Sequence, residues 1–300
     1  MTDIDAALVR TLLREQFPNL DATKVEYLNE GCDSVAFEID ERLVFRFPKR
    51  ADVEAQMTTE REVLSVLASA GPPIAIPVIR YEGQPAGAFP FRFAGYDKLQ
   101  GQSANRVALS QEQLLEIASV LGHFLSWLHD VPEEAVAQAH LETQDIDAVL
   151  DEVKKEALED LFTVANVAPP ASIDSWRSWI EETDLEDGDR EPAVLVHNDF
   201  AAEHVLVDES ALRLTGVIDW SDVAICDRLS DFAGIYHWGG REFANAVLDA
   251  YGHPLSPGQH RRARFLAASR GVLDVSFGLE FARPEYIEMG LRALKLNASA

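Results

Sequence analysis

Only two cysteines, Cys32 and Cys226, occur in the 300 residues. That is too few for a disulfide framework, and they lack the CxxC spacing of a zinc site, so they read as free thiols in a reducing compartment. No run approaches the roughly 18 consecutive apolar residues needed to cross a bilayer. The opening Met-Thr-Asp-Ile-Asp has neither the basic nor the apolar region of a secretion signal. The expectation is a cytoplasmic protein without a membrane partner. Proline and glycine are sparse, at 14 and 17, and no internal repeat or low-complexity tract is present, which excludes fibrous and disordered architectures. Positive charge is also scarce. Against 51 Asp and Glu stand 26 Lys and Arg, a net charge of −25 that repels a phosphate backbone and argues against nucleic acid. What remains is a 47% apolar chain, long enough for two lobes at about 150 residues each.

Residues 4 to 17 carry apolar side chains at helical spacing. Three short runs rich in β-branched and aromatic residues follow, Val25–Leu28, Val35–Ile39 and Leu43–Phe47, which predict an antiparallel meander. A helix is expected over 53 to 69, stopped by Gly71-Pro72-Pro73, and two more strands over Ile76–Arg80 and Phe89–Phe93. From Gly101 the pattern turns helical, starting with the stripe Leu114, Ile117, Leu121, Leu125 and Leu128. Further helices are expected over 145 to 165 and Ile173–Trp179, then an acidic linker over Glu181–Glu191. Short strands follow at Val194–Val196, Val205–Val207 and Leu214–Ile218, and helix from about Leu229 onward. The organisation expected is α+β: a small five-stranded antiparallel lobe over 1–100 and a larger, mainly helical lobe over 101–300.

Between Val194 and Asp231, Asp199 and Asp219 stand just beyond short apolar runs and His204 just before one. Hairpins bringing those strand ends together would converge them. Phosphoryl transfer asks for such a set, with one carboxylate to orient an attacking hydroxyl and another carboxylate plus a further ligand to hold magnesium against phosphate. Any one of these aspartates alone reads as a turn former or helix cap; the joint pattern does not.

HNDFAAEHVLVD followed by GVIDWSD resembles the catalytic and metal-binding segments of the aminoglycoside phosphotransferase family, two-lobed relatives of protein kinases. VFRFPKR resembles that family's third-strand segment, EREVLSVL the helix carrying its glutamate, FAGYDKLQG the link between lobes and SWLHDVP the helix end before the catalytic half. FAGYDKLQG and HNDFAAEHVL are most similar to the 2''-phosphotransferase branch, and GVIDWSD also resembles macrolide phosphotransferases.

The resemblance implies Asp199 as catalytic aspartate and Asp219 with His204 as magnesium ligands, His204 standing where the wider kinase family has asparagine. It implies Arg46, paired with Glu62, on the nucleotide phosphates. Ser34 would lie near the β-phosphate, and the backbone of Asp97 and Leu99 against the purine of ATP or GTP. Asp227 and Asp231 would brace the catalytic loop. Glu203, Trp238, Glu242, Asp274 and Glu280 are the candidate substrate contacts, the acids forming a pocket for ammonium groups. The function implied is phosphorylation of an aminoglycoside hydroxyl by a monomer whose partners are a nucleoside triphosphate and a cationic small molecule; the alternatives are a macrolide 2'-phosphotransferase or a metabolic small-molecule kinase.

Overall fold

The computed structural model describes residues 4–31, 33–186 and 190–298. Cys32 lies outside these residues, as do three positions of the acidic linker. Cys226 is a free, buried thiol, pushed up in pKa by that burial. Two compact units divide the chain. The first is Met1–Gly101 with Glu134–Leu141 and Thr215–Asp222, and the second Gln102–Glu133, Glu142–Leu214 and Val223–Ala300.

Helix α1 (Ala6–Gln16) starts where the Asp5 carboxylate accepts from the N–H groups of Ala7 and Leu8, two of the donors that a helix start leaves unpaired. Strands β1 (Val25–Glu30), β2 (Ser34–Ile39) and β3 (Leu43–Pro48) form the meander, followed by α2 (Ala51–Ser69), β4 (Ile79–Gly83) and β5 (Phe93–Asp97). The sheet order is β1-β2-β3-β5-β4, antiparallel throughout. Phe37, Phe45, Phe47, Phe89 and Phe93 fill its core, with the rings of Phe47 and Phe93 stacked at 4.7 Å. The last two strands begin later than the apolar runs suggested. Pro77 and Pro90 lack the N–H that a ladder requires, so pairing starts beyond them, while Ile76 and Phe89 are buried without belonging to a strand.

The chain continues through β6 (Gln102–Ser103), α3 (Gln111–His129), the short α4 (Glu133–Val136), α5 (Ile146–Val164) and α6 (Pro170–Glu182). Then come β7 (Val194–Val196), β8 (Val205–Asp208), β9 (Arg213–Val217), β10 (Ala224–Cys226), α7 (Leu229–Tyr251), α8 (Pro257–Glu280) and α9 (Pro284–Asn297). A reciprocal capping box between Ser110 and Gln113 starts α3, and the Leu114-to-Leu128 stripe is buried along its whole length. β7 pairs antiparallel with β10, and β6 with β8. Gly239-Gly240 does not end α7 but kinks it, Gly240 taking φ 70° and ψ −165°, a conformation open to glycine and costly for other residues. Among the described residues no helix is long and apolar enough to cross a membrane.

Candidate active site

In the second unit the segment after β7 is shaped by a residue from α7. Asp231, fully buried, accepts from the backbone N–H of His197 at 3.0 Å and of Asn198 at 2.8 Å, and lies 3.0 Å from His129 Nε2. These bonds hold Asn198 at φ +68°, left-handed backbone that asparagine tolerates better than most side chains, and they aim the next residue, Asp199. His204 then closes the loop: its Nδ1 lies 2.8 Å from the Asp199 carbonyl and 3.3 Å from Asp199 Oδ2. With Nδ1–H donating to the carbonyl, the ring lone pair falls on Nε2. Asp227 sits at the start of α7, its Oδ1 accepting from the Leu229 N–H at 2.9 Å.

Arg270 of α8 was not singled out from the sequence, yet it makes the strongest contact to this segment. Nη1 lies 2.7 Å from Asp199 Oδ1 and Nη2 2.7 Å from Glu203 Oε1. Burial opposes its charge, but Asp199, Glu203 and Asp274 outweigh that and raise its pKa further. Glu203 is held ionised in spite of its burial, chiefly by Arg270. The sequence signal was a lone arginine inside the apolar passage FLAASRGVLDV, four residues before Asp274 and therefore on the same helix face.

In the first unit Arg46 of β3 is the hub. Nη1 lies 2.6 Å from Glu60 Oε1 and Nη2 3.3 Å from Asp219 Oδ1. Glu60 also accepts from the Trp220 backbone N–H, and Asp219 Oδ1 accepts from the Ser221 hydroxyl at 3.0 Å. Burial works against the Arg46 charge, and Glu60 with Asp219 overcomes it. The expected pairing of Arg46 with Glu62 is thereby corrected to Glu60. Two residues along a helix amount to about 200° of rotation, so the two glutamates cannot share a face. Glu60 lies three or four residues before the buried Val63 and Leu64, whereas Glu62 points outward to Arg61 at 3.5 Å. Ser34 opens β2 opposite Pro48. Asp97 closes β5, its carboxylate 2.9 Å from Arg80, and Leu99 follows it, partly exposed.

Asp219 has φ +64°, left-handed backbone that a residue bearing a Cβ adopts at a cost, and such strain persists only where surroundings enforce it. Its side chain is 42% exposed, so a hard oxygen donor is presented at that position. Magnesium takes one or two protein carboxylates and completes its shell with water and phosphate. Asp219 fits that role. His204 offers a softer nitrogen. No cluster of three or more His, Cys, Asp or Glu that could hold a metal occurs among the described residues.

The acids expected to receive ammonium groups are not gathered into one open patch. Glu203 is spent on Arg270, and Asp274 Oδ2 lies 2.7 Å from His237 Nε2. Glu242 accepts from Gln111, and Glu280 is exposed at the end of α8. Trp238 instead lines a cavity of about 560 Å³ within the second unit, where Val107, Leu109, Leu114 and Met289 stand beside two acids, Glu285 and Glu288, and two arginines, Arg106 and Arg292.

The small antiparallel sheet with its inward-facing glutamate helix and the mainly helical unit carrying the Asp199 loop define a kinase-like phosphotransferase. The chain belongs to the Phosphotransferase enzyme family, whose pattern it matches over residues 24–266, and its acceptor group is a hydroxyl. It is 22% identical to the uncharacterised protein YcbJ of Bacillus subtilis (strain 168), over 96% of this chain and 95% of that one. In fold it is similar to wild-type aminoglycoside 2'-phosphotransferase-IIIa, solved as a GDP complex, with a TM-score of 0.77 and 24% identity over 98% of this chain and 99% of that one. Macrolide 2'-phosphotransferase MphH from Brachybacterium faecium gives 0.62 and 21% over 97% of each chain.

Proposed function

We propose that this protein transfers the terminal phosphoryl group of ATP or GTP to a hydroxyl of an antibiotic-like small molecule. The observation that carries the reading is Asp199, an ionisable carboxylate set at a strand end by Asp231 and held at both of its own oxygens. In this reading Asp199 orients the acceptor hydroxyl and takes its proton, positioning being most of what the loose transition state requires. Arg46 grips phosphate oxygens through a guanidinium that Glu60 keeps oriented. Asp219 would hold magnesium, which neutralises charge on the transferring group. Ser34 serves the β-phosphate and the backbone at Asp97 and Leu99 the purine.

Two acceptor classes follow from the family. The sequence pointed first to an aminoglycoside, and the net charge of −25 supports a cationic ligand. The geometry favours the second class, a macrolide-like acceptor. Glu203 is ion-paired with Arg270, Asp274 lies 2.7 Å from His237, and the cavity joins an apolar wall of Trp238, Met289, Leu109 and Val107 to charges of both signs, Arg106 and Arg292 with Glu285 and Glu288, a lining with room for an apolar body and no surplus of acid for a polycation. A screen of ATP and GTP against macrolides and aminoglycosides, with phosphorylated product detected by mass, tests the reading. Product from macrolides supports it, product from aminoglycosides alone restores the first class, and no product from either overturns the antibiotic reading.

A further inference from the structure

Asp199 can act only if its carboxylate is held in one orientation, and the structure supplies unequal holds. On Oδ2 stands His204 Nδ1 at 3.3 Å, a nitrogen already 2.8 Å from the Asp199 carbonyl. On Oδ1 stands Arg270 Nη1 at 2.7 Å, a charge-assisted bond of the shorter, stronger kind. The second arm of the same guanidinium is 2.7 Å from Glu203, which is itself 12% exposed and whose Oε2 is buried. Arg270 thus spans two carboxylates four residues apart in sequence. Its own base cannot shift, since Ala267, Ala268, Gly271 and Val272 are all buried on α8. A Cβ on Gly271 would come 2.9 Å from the Gly290 carbonyl of α9, so this stretch of helix is seated directly on its neighbour's backbone. Lysine in the same place would offer a point charge without the planar fork.

We propose that Arg270 is the positioning residue of Asp199, fixing the rotamer in which the carboxylate meets the acceptor hydroxyl, with Glu203 as the anchor that fixes the fork. The inference rests on the phosphotransferase reading. It also reassigns Glu203: this carboxylate serves the catalytic aspartate through Arg270 rather than an ammonium group of the substrate. Two carboxylates around one guanidinium repel each other once it is removed, so Asp199 loses its orientation as well as a partner.

The test compares Arg270→Ala, Arg270→Lys and Glu203→Gln with the parent, all as full chains. Each is checked for folding by thermal melting, and kcat and the nucleotide KM are measured separately. Arg270→Ala is expected to lower kcat by about 30- to 100-fold with the nucleotide KM within about twofold, on the usual worth of aligned reacting groups. Guanidinium chloride at tens of millimolar should restore about tenfold of that loss, and should do nothing for Asp199→Asn. Arg270→Lys should fall between the two, and Glu203→Gln should lose several-fold in kcat alone. A folded Arg270→Ala within threefold of the parent overturns the proposal, as does the absence of guanidinium rescue, because an ion pair that merely stabilises the fold responds to neither. Should Arg270→Ala fail to fold, parental kcat in both Arg270→Lys and Glu203→Gln overturns it. A parent that transfers no phosphoryl group to any acceptor refutes the functional reading, and the positioning role with it; an active parent with indifferent variants refutes the positioning role alone.

Discussion

Asp199 and Glu60 illustrate how much a single side chain depends on its neighbours. Asparagine at position 199 keeps the shape of the carboxylate but loses the charge that Arg270 and His204 address and the capacity to take a proton. Asp199→Asn is expected to lower kcat by about 100-fold or more with nucleotide affinity nearly unchanged, and steady-state kinetics with a nucleotide titration check both halves. Turnover within a few fold of the parent would remove Asp199 from its role. Glu60 and Glu62 provide a paired comparison. Glu60→Gln leaves the Arg46 guanidinium without its nearest anion, so nucleotide affinity should weaken about tenfold and stability fall by about 3 to 5 kcal/mol, the usual consequence of breaking a buried pair from one side. Glu62→Gln, at a partly exposed site beside Arg61, should stay within about 0.5 kcal/mol of the parent. Equal effects of the two substitutions in melting and binding experiments would contradict the hub at Arg46. The glutamate facing Arg46 was legible in principle, because Glu60 alone shares the helical spacing of Met57, Val63, Leu64 and Leu67. A family motif read by position led to its neighbour instead.

Among the elements, α7 does the most to build the site, because its first turns carry both a carboxylate and a gap. Asp231 binds the backbone before Asp199, and one turn later Gly234 lets the helix approach so closely that a Cβ there would lie 1.4 Å from the Phe200 carbonyl oxygen. No rotamer relieves that clash, since the obstacle is backbone. Gly234→Ala should destabilise the fold by about 3 kcal/mol or more, at or beyond the upper end for overpacked positions. Any variant that still folds should lose turnover because the 197–200 segment is pushed aside. Chemical denaturation and single-turnover rates measure the two effects, and a stability within about 0.5 kcal/mol of the parent would show that α7 does not seat on this loop. The helices were readable from apolar spacing and caps: α3 and α5 lie within a few residues of their expected bounds. β4 and β5 were less so, since burial of Ile76 and Phe89 imitates a strand while Pro77 and Pro90 forbid the ladder.

For the molecule as a whole, the charge of −25 bears on which acceptor binds. A polycationic sugar held by carboxylates should lose affinity steeply between about 0.05 and 0.5 M salt, as the screening length falls from roughly 14 to 4 Å. With Glu203 ion-paired to Arg270 and charges of both signs around the cavity, the proposed macrolide reading predicts an affinity that changes less than about threefold over that range, accompanied by a negative heat-capacity change from apolar burial. Calorimetric titrations at several salt concentrations check both, and a steep salt slope with tight aminoglycoside binding would return the assignment to the polycation. Composition and periodicity sufficed for an acidic α+β chain with a five-stranded sheet, because alternation and helical spacing are local properties written residue by residue. The candidate set Asp199, His204 and Asp219 could be picked out in the same way, since the residue types and their spacing lie within one short stretch. Tertiary structure alone decided that Arg46 meets Glu60, that Arg270 of α8 clamps Asp199, and that one expected substrate acid, Glu203, is held by the same guanidinium. Periodicity tells which face of a helix turns inward; the partner waiting there comes from an element far along the chain, and its position is set by packing.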